Sequence, residues 1–387
     1  MQLLLVFAFL VAADWPGWRG PHQAGIISEE PKSFPEKLNL KWKIDVGLGH
    51  SSPILAAGTI YEFARAGEQE TIYAIDPATG KVRWQQHYDA PYKMNGAAIA
   101  HGPGPKSTPL YADGKLYTFG ISGTLSSWDA ETGKLRWRKD AAKNQADSGP
   151  TFGTSVSPIL DRGMLIVHMG GEKTGALTAF DPATGNVKWS WDGDSPGYAT
   201  PIIFDGKVIT QTRQNIVALD EATGKLAWKI PFTTAYEQNI VTPVVYKDML
   251  IFSGLDKGVF AVRDGKTVWQ TKDASMYMNS PVVVGDLLFG FSHLKKGQIF
   301  CIDLKTGTVL WSGSPRAGDN SALLASGKTL YSLTPDAKLL IAHPDAKGLN
   351  EVRQYEVADS ATWAHPLILQ DGFVIKDVKS LARWGTN

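Results

Sequence analysis

The sequence predicts an all-β chain folded as an eight-bladed β-propeller with four-stranded blades. Three observations carry this: a nine-residue turn phrase ending in Trp that recurs at blade-sized intervals, a Ser/Thr-Pro pair opening an apolar strand once per interval, and an unpaired strand near the front of the chain that complements a short last unit.

The phrase is Asp76-Pro-Ala-Thr-Gly80-Lys-Val-Arg-Trp84, and it returns at Asp129 to Trp137, Asp181 to Trp189, Asp220 to Trp228 and Asp303 to Trp311. A shortened copy runs from Arg263 to Trp269, and Lys41-Trp42-Lys43-Ile44 matches its end without the turn. An Asp that bonds its own following backbone, a Pro that fixes φ and a Gly that accepts the left-handed region together specify a tight strand-to-strand turn. The Trp then falls on the outgoing strand. Truncating a buried Trp costs ~3–5 kcal/mol, so Trp42, Trp84, Trp137, Trp189, Trp228, Trp269 and Trp311 are read as packing wedges between adjacent units.

The second repeat is Ser52-Pro53, Thr108-Pro109, Ser157-Pro158, Thr200-Pro201, Thr242-Pro243 and Ser280-Pro281, continued in degraded form by Ser321-Ala322 and His365-Pro366. Each precedes a Gly or Asp-Gly turn and an aliphatic strand, as in Asp113-Gly-Lys-Leu-Tyr-Thr-Phe119. The Trp spacings of 42, 53, 52, 39, 41 and 42 residues suit one four-stranded blade each, the two long ones carrying insertions. The last unit, Trp363 to Trp384, holds three strands. The strand at about 40–46 is expected to join it and close the ring, removing both open edges.

Ahead of the propeller, expected over 40–387, the apolar run Leu3 to Val11 followed by Ala12-Ala13 reads as a signal peptide over 1–13, leaving 14–39 as an N-terminal extension. Asp14 stands where a lipoprotein would carry its lipid-bearing Cys, so a periplasmic or secreted protein is expected. Membrane association would come through a partner or an uncleaved signal. A net charge of +1 argues against a nucleic-acid partner. The single Cys301 excludes an internal disulfide and aligns with the small residues Ala74, Ser127, Ala179 and Ala218, two positions before each Asp. A monomer is expected.

Ala74-x-Asp76-x-x-Thr79-Gly80-Lys81-x-x-Trp84 and its copies resemble the tryptophan-docking motif of quinoprotein propellers. That family includes the pyrroloquinoline-quinone (PQQ) dehydrogenases and a non-enzymatic propeller lipoprotein of the outer-membrane protein assembly machine. The resemblance spans Leu40 to Trp384. The leading Trp15-Pro-Gly-Trp-Arg-Gly-Pro21 is similar to the opening of bacterial proteins with PQQ-like repeats. The resemblance implies either PQQ with calcium or a cofactor-free scaffold. The sequence lacks the adjacent cysteines of the alcohol dehydrogenases, a calcium loop, a Cys/His metal motif and a phosphate loop. No metal and no cofactor are therefore expected, with PQQ and calcium as the alternative.

The residues just before the eight inner strands should ring the channel mouth: His50, Lys106, Ser155, Tyr198, Ile240, Met278, Asp319 and Trp363. His365 and Arg213 join them as candidates, the one for proton transfer and the other for clamping a carboxylate. Each has a plainer alternative: a solvated rim side chain, a His bonded to backbone, an Arg in a surface ion pair. The mixture suits a small polar or anionic ligand. The preferred function is a non-catalytic interaction scaffold of the cell envelope, binding an envelope protein or peptide. The alternatives are a PQQ-dependent dehydrogenase oxidising an alcohol or sugar, and a module binding a small anion or sugar.

Overall fold

The computed structural model describes residues 14–140 and 149–387. The expected signal peptide over 1–13 lies outside these residues. The described chain forms eight antiparallel four-stranded sheets arranged as an eight-bladed propeller. Blades 1 to 7 occupy 54–89, 110–139, 159–191, 202–231, 244–271, 282–312 and 322–356. Blade 8 takes three strands from 367–385, and its outermost strand is Asn39–Asp45, paired antiparallel with Ser380–Gly385. The strand expected to close the ring does so, joining the two ends of the chain in one sheet.

Within each blade the turn phrase behaves as its chemistry dictates. Asp76 Oδ1 accepts from the amides of Ala78 and Thr79 and from the Thr79 hydroxyl, at 3.1, 3.0 and 2.9 Å. The same Asp-to-Thr bonds recur at Asp129, Asp181 and Asp220. On the outgoing strand, Trp84, Trp137, Trp189, Trp228, Trp269 and Trp311 stand opposite Ala74, Ser127, Ala179, Ala218, Ala261 and Cys301, each pair followed by a bulge. Cys301 is therefore the small partner of a Trp, fully buried, its thiol pushed up to about 12 by burial and out of reactive use.

The indoles reach out of their own blades. The Trp42 N–H donates to the carbonyl of Pro77 in the next blade at 2.9 Å, Trp84 to Ala130 at 3.2 Å, Trp137 to Pro182 at 3.1 Å and Trp189 to Glu221 at 2.8 Å. Trp269 and Trp311 do the same to Leu304 and Asp345. All of these rings except that of Trp311 lie over the turn glycine of the next blade. A Cβ on Gly80 would come within 2.7 Å of Trp42, and one on Gly224 within 2.6 Å of Trp189. These glycines also hold φ near +70°, so close approach and backbone conformation demand the same residue.

Near the axis the Ser/Thr-Pro repeat forms a second seam. The amide of His365 donates to Ser52 Oγ, Ser52 to Thr108 Oγ1, Thr108 to Ser157 Oγ and Ser157 to Thr200 Oγ1, at 3.0–3.2 Å. Thr242 likewise donates to Ser280 Oγ. Each hydroxyl satisfies a buried amide at the start of the neighbouring blade's inner strand, where no ladder partner exists.

The N-terminal extension enters the channel. Trp15 exchanges backbone bonds with Leu55, Tyr111 donates to the Pro16 carbonyl, and the chain returns past Ile27 bonded to Ala325. Its apex is Trp18-Arg19. Arg19 is fully buried and donates to the carbonyls of Ser280, Pro281 and Leu323 on blades 6 and 7, and to Gln23 and Ala24 of its own loop. Gly20, at φ 71°, lies under the Trp15 ring where a Cβ would fall 2.4 Å from it. Residues 14–27 thus stopper the channel from the face of the Thr-Gly turns. Two substitutions probe these contacts by urea unfolding. Trp189→Ala should cost ~3–5 kcal/mol, whereas Val187→Ala, exposed on the same strand, should stay within about 0.5 kcal/mol. Arg19→Ala, stranding three blade carbonyls, should cost at least about 3 kcal/mol.

Candidate functional site

Loops linking one blade to the next converge on the face opposite the stopper and enclose a cavity of about 380 Å³. Its lining includes Trp18, contributed by the stopper, so the cavity is a blind cup. His50, Lys106, Ser155, Tyr198, Ile240, Met278, Trp363 and His365, all expected at the mouth, are brought together here. They share its wall because each stands at or just before the start of an inner strand, and those starts circle the axis.

Two expected residues are placed elsewhere. Asp319 lines a separate cleft with Phe291 and Ile299 of blade 6 and Ser332 and Leu340 of blade 7, and its neighbour Asn320 takes the place in the cup. Arg213 sits at the tip between the middle strands of blade 4 and is held by the protein's own carboxylates, Glu172 at 3.3 Å and Glu237 in a closer pair. It already clamps carboxylates, and they are internal.

Several lining residues were not legible from the repeats. Trp18 comes from an extension with no repeat of its own, whose apolar residues had to pack against something. His101, Phe152, Tyr236, Gln238 and Tyr277 come from the long connections, whose composition gave no register. Tyr236 stands at the rim, 83% exposed, with φ 60°. Ile99, on a 3₁₀ turn in the same loop as His101, is 66% exposed. Large side chains so exposed at the rim, as Tyr236, or on a loop that lines the cavity, as Ile99, are available for contact.

The aromatic groups form three clusters, one of them Phe152 with Tyr198 at 6.1 Å. His50, His101 and Trp363 meet with ring centroids 5.0–6.4 Å apart. Trp18 meets His365 edge-on at 4.5 Å. His50 Nε2 bonds the His101 carbonyl at 2.8 Å, and Lys106 Nζ donates to the Phe152 carbonyl at 2.5 Å.

The electrostatics follow from burial without counter-charge. Among the described lining residues there is no Asp or Glu, and Lys106 is the sole Lys or Arg. Burial lowers Lys106 to about 8. Burial, with the positive charges of Lys106 and Lys376 behind it, lowers His50 to about 4 despite the bond to the His101 carbonyl. Burial holds His365 well below its ordinary value, with Arg19 adding to the effect. The histidines are therefore neutral at pH 7, and His50 serves as a hydrogen-bonding ring. His365 Nδ1 and Asn320 Oδ1 are buried with no hydrogen-bond partner.

The chain's likenesses agree with this architecture. Residues 41–313 match the family model described as outer membrane protein assembly factor BamB. The chain is 23% identical over 380 residues to the outer membrane protein assembly factor BamB of Shewanella oneidensis, covering 91% of this chain and 80% of that protein. It is 25% identical over 329 residues to the dehydrogenase subunit of the quinone alcohol dehydrogenase of Gluconobacter oxydans, covering 74% of this chain. The chain spans 42% of that relative's length, and 21% of the corresponding subunit from Komagataeibacter europaeus. Among solved structures it is similar in fold to BamB from Moraxella catarrhalis, with a TM-score of 0.65, 17% identity and coverage of 90% of this chain and 100% of that one. It is also similar to a europium-containing methanol dehydrogenase, with a TM-score of 0.73, 13% identity and coverage of 95% and 90%.

The neutral histidines have a consequence for stability. Unfolded His binds its proton near pH ~6.5, whereas native His50 does so at about 4. Between those values the unfolded chain holds more protons, so stability is present above the upper value and is lost as pH falls toward the lower. Unfolding by urea from pH 7 to 4 should show wild type losing up to about 1.4 kcal/mol per pH unit more than His50→Gln. Equal slopes would show that His50 gains its proton as readily folded as unfolded.

Proposed function

We propose, from the premise that the chain belongs to the family of the outer membrane protein assembly factor BamB, that it is a non-catalytic binding scaffold of the cell envelope. It would act in the periplasm or as a secreted protein and present its mouth face to an envelope protein or peptide. The observation that carries this reading is the stoppered channel. Residues 14–27 fill the channel from the Thr-Gly face, which leaves the loop face with its cup and exposed Tyr236 and Ile99 to receive a partner. The blades supply rigidity, since both seams fix one blade against the next.

The dehydrogenase relatives favour a second reading, in which the cup would hold PQQ and calcium. The donor set does not fit that pair. Calcium takes 6–8 oxygen ligands with carboxylates prominent among them, and the described lining offers none. No group of three or more His, Cys, Asp or Glu among the described residues is placed to hold a metal. Addition of PQQ and calcium to the purified protein should therefore give no dye-coupled oxidation of alcohols or sugars. Turnover would reverse the order of the two readings.

The scaffold reading is tested by capture. Immobilised protein is exposed to a detergent extract of the envelope, and the retained proteins are identified by mass spectrometry. The double variant Ile99→Asp with Tyr236→Asp should retain its partner at least tenfold less well than wild type. Val187→Asp, beyond the Thr-Gly turns, should retain it fully. Equal retention by all three would place the interaction away from the mouth.

A further inference from the structure

We infer that the cup is a binding site for a metal-free organic anion: a small carboxylate with a flat apolar body and at least one O–H or N–H donor. The inference rests on the mouth being a binding face and names what that face holds at its centre.

The anionic group follows from Lys106. Its ammonium lies in the cup wall, gives one bond to the Phe152 carbonyl and has no carboxylate within ion-pair distance among the described residues. A cation partly withdrawn from water without a counter-charge is unfavourable, and no Asp or Glu stands among the described residues of this wall. A carboxylate entering the cup would pair with the ammonium in a desolvated setting, where such a bond is at its strongest. Burial has moved Lys106 down to about 8, and a bound anion would move it back up.

The apolar body follows from the walls. Trp18, Phe152, Tyr198, Tyr277, Met278 and Trp363 supply flat or soft surfaces suited to a planar group. The donor requirement follows from the two orphaned atoms. Asn320 and His365 are 6% and 5% exposed, both line the cup, and Oδ1 of the one and Nδ1 of the other lack partners. A buried acceptor left unpaired costs about 1–3 kcal/mol. Both atoms are shielded in this conformation, so a hydroxyl or amine on the ligand would satisfy Asn320 Oδ1 once the amide turns toward the cup, and the neutral imidazole of His365 can accept or donate according to its tautomer. A neutral polyol would leave Lys106 unpaired and the aromatic walls bare. A bare inorganic anion would leave the walls and both orphaned atoms unused.

The test uses isothermal titration calorimetry on the full chain at pH 7 with four probes: 4-hydroxyphenylacetate, its uncharged amide, inorganic phosphate and glucose. The carboxylate should bind at least tenfold more tightly than each of the others. Lys106→Met should remove that preference, and Asn320→Ala should weaken the carboxylate severalfold while leaving the amide-to-carboxylate ratio unchanged. Thermal melts of the two variants show whether they are folded. If Lys106→Met is not, raising the pH from 7 to 10 on wild type serves in its place, and affinity for the carboxylate should fall as the lysine loses its proton. Amide and carboxylate binding alike, phosphate binding as well as the carboxylate, glucose binding better than either, or no heat with any probe at millimolar concentration would each overturn the inference. Partner capture by the mouth face would survive those results, so failure of the ligand assignment and failure of the scaffold reading are distinguishable.

Discussion

The contact on which the molecule depends is the indole of one blade seated on the turn glycine of the next. It joins three requirements in one place. The glycine supplies the left-handed turn that reverses the chain, its missing Cβ makes room for the ring, and the carbonyl beside it accepts the indole N–H. On the Trp strand, the residue opposite must be small, which accounts for Ala, Ser and Cys at one position in six blades. At the six seams that carry it the contact points forward, so the orientation of blades 1 to 6 is set by the preceding neighbour. The error cannot accumulate, since the ring must close with Trp42 over Gly80.

The inner seam acts at shorter radius and with polar chemistry. Backbone amides at the start of the inner strands face the channel, where an unpaired donor would be buried. The hydroxyls of Ser52, Thr108, Ser157, Thr200 and Ser280 meet that demand from the adjacent blade. The proline after each hydroxyl residue holds that residue extended, the conformation in which such bridging is possible. Around blades 5 to 7 the stopper adds its own bonds, through Trp18 to Thr242 and Arg19 to Ser280, Pro281 and Leu323. The stopper is thus part of the fold's polar accounting and the floor of the cup at once.

This double role shapes the site. A channel open at both ends would be wet, and Lys106 and the histidines would keep ordinary solution behaviour. With Trp18 across it, burial dominates the cup, and the three histidines become neutral rings beside one uncompensated ammonium. An aromatic lining, an unpaired cation and two orphaned polar atoms together describe a recognition surface. Acid–base chemistry at metal-bound oxygen would need carboxylates, and none stands among the described lining residues.

The architecture is legible in the repeats alone. Asp76 to Trp84 and its copies contain a complete local instruction, a turn and a wedge, and repetition of a local instruction fixes blade number and closure without long-range knowledge. It also placed most of the mouth, because residues at a fixed offset from a repeat occupy equivalent positions on a ring. The offset failed at blade 7, where Asn320 replaces Asp319 in the cup, since the Ser321-Ala322 pair lacks the proline that sets the path elsewhere. No offset governs Arg213, whose ion-pair partners Glu172 and Glu237 are 41 and 24 residues away and meet it only in space. That Trp18 and Arg19 fill the channel emerges in three dimensions alone. An extension that repeats nothing carries no register, and its destination depends on which buried carbonyls the closed ring leaves for it to satisfy.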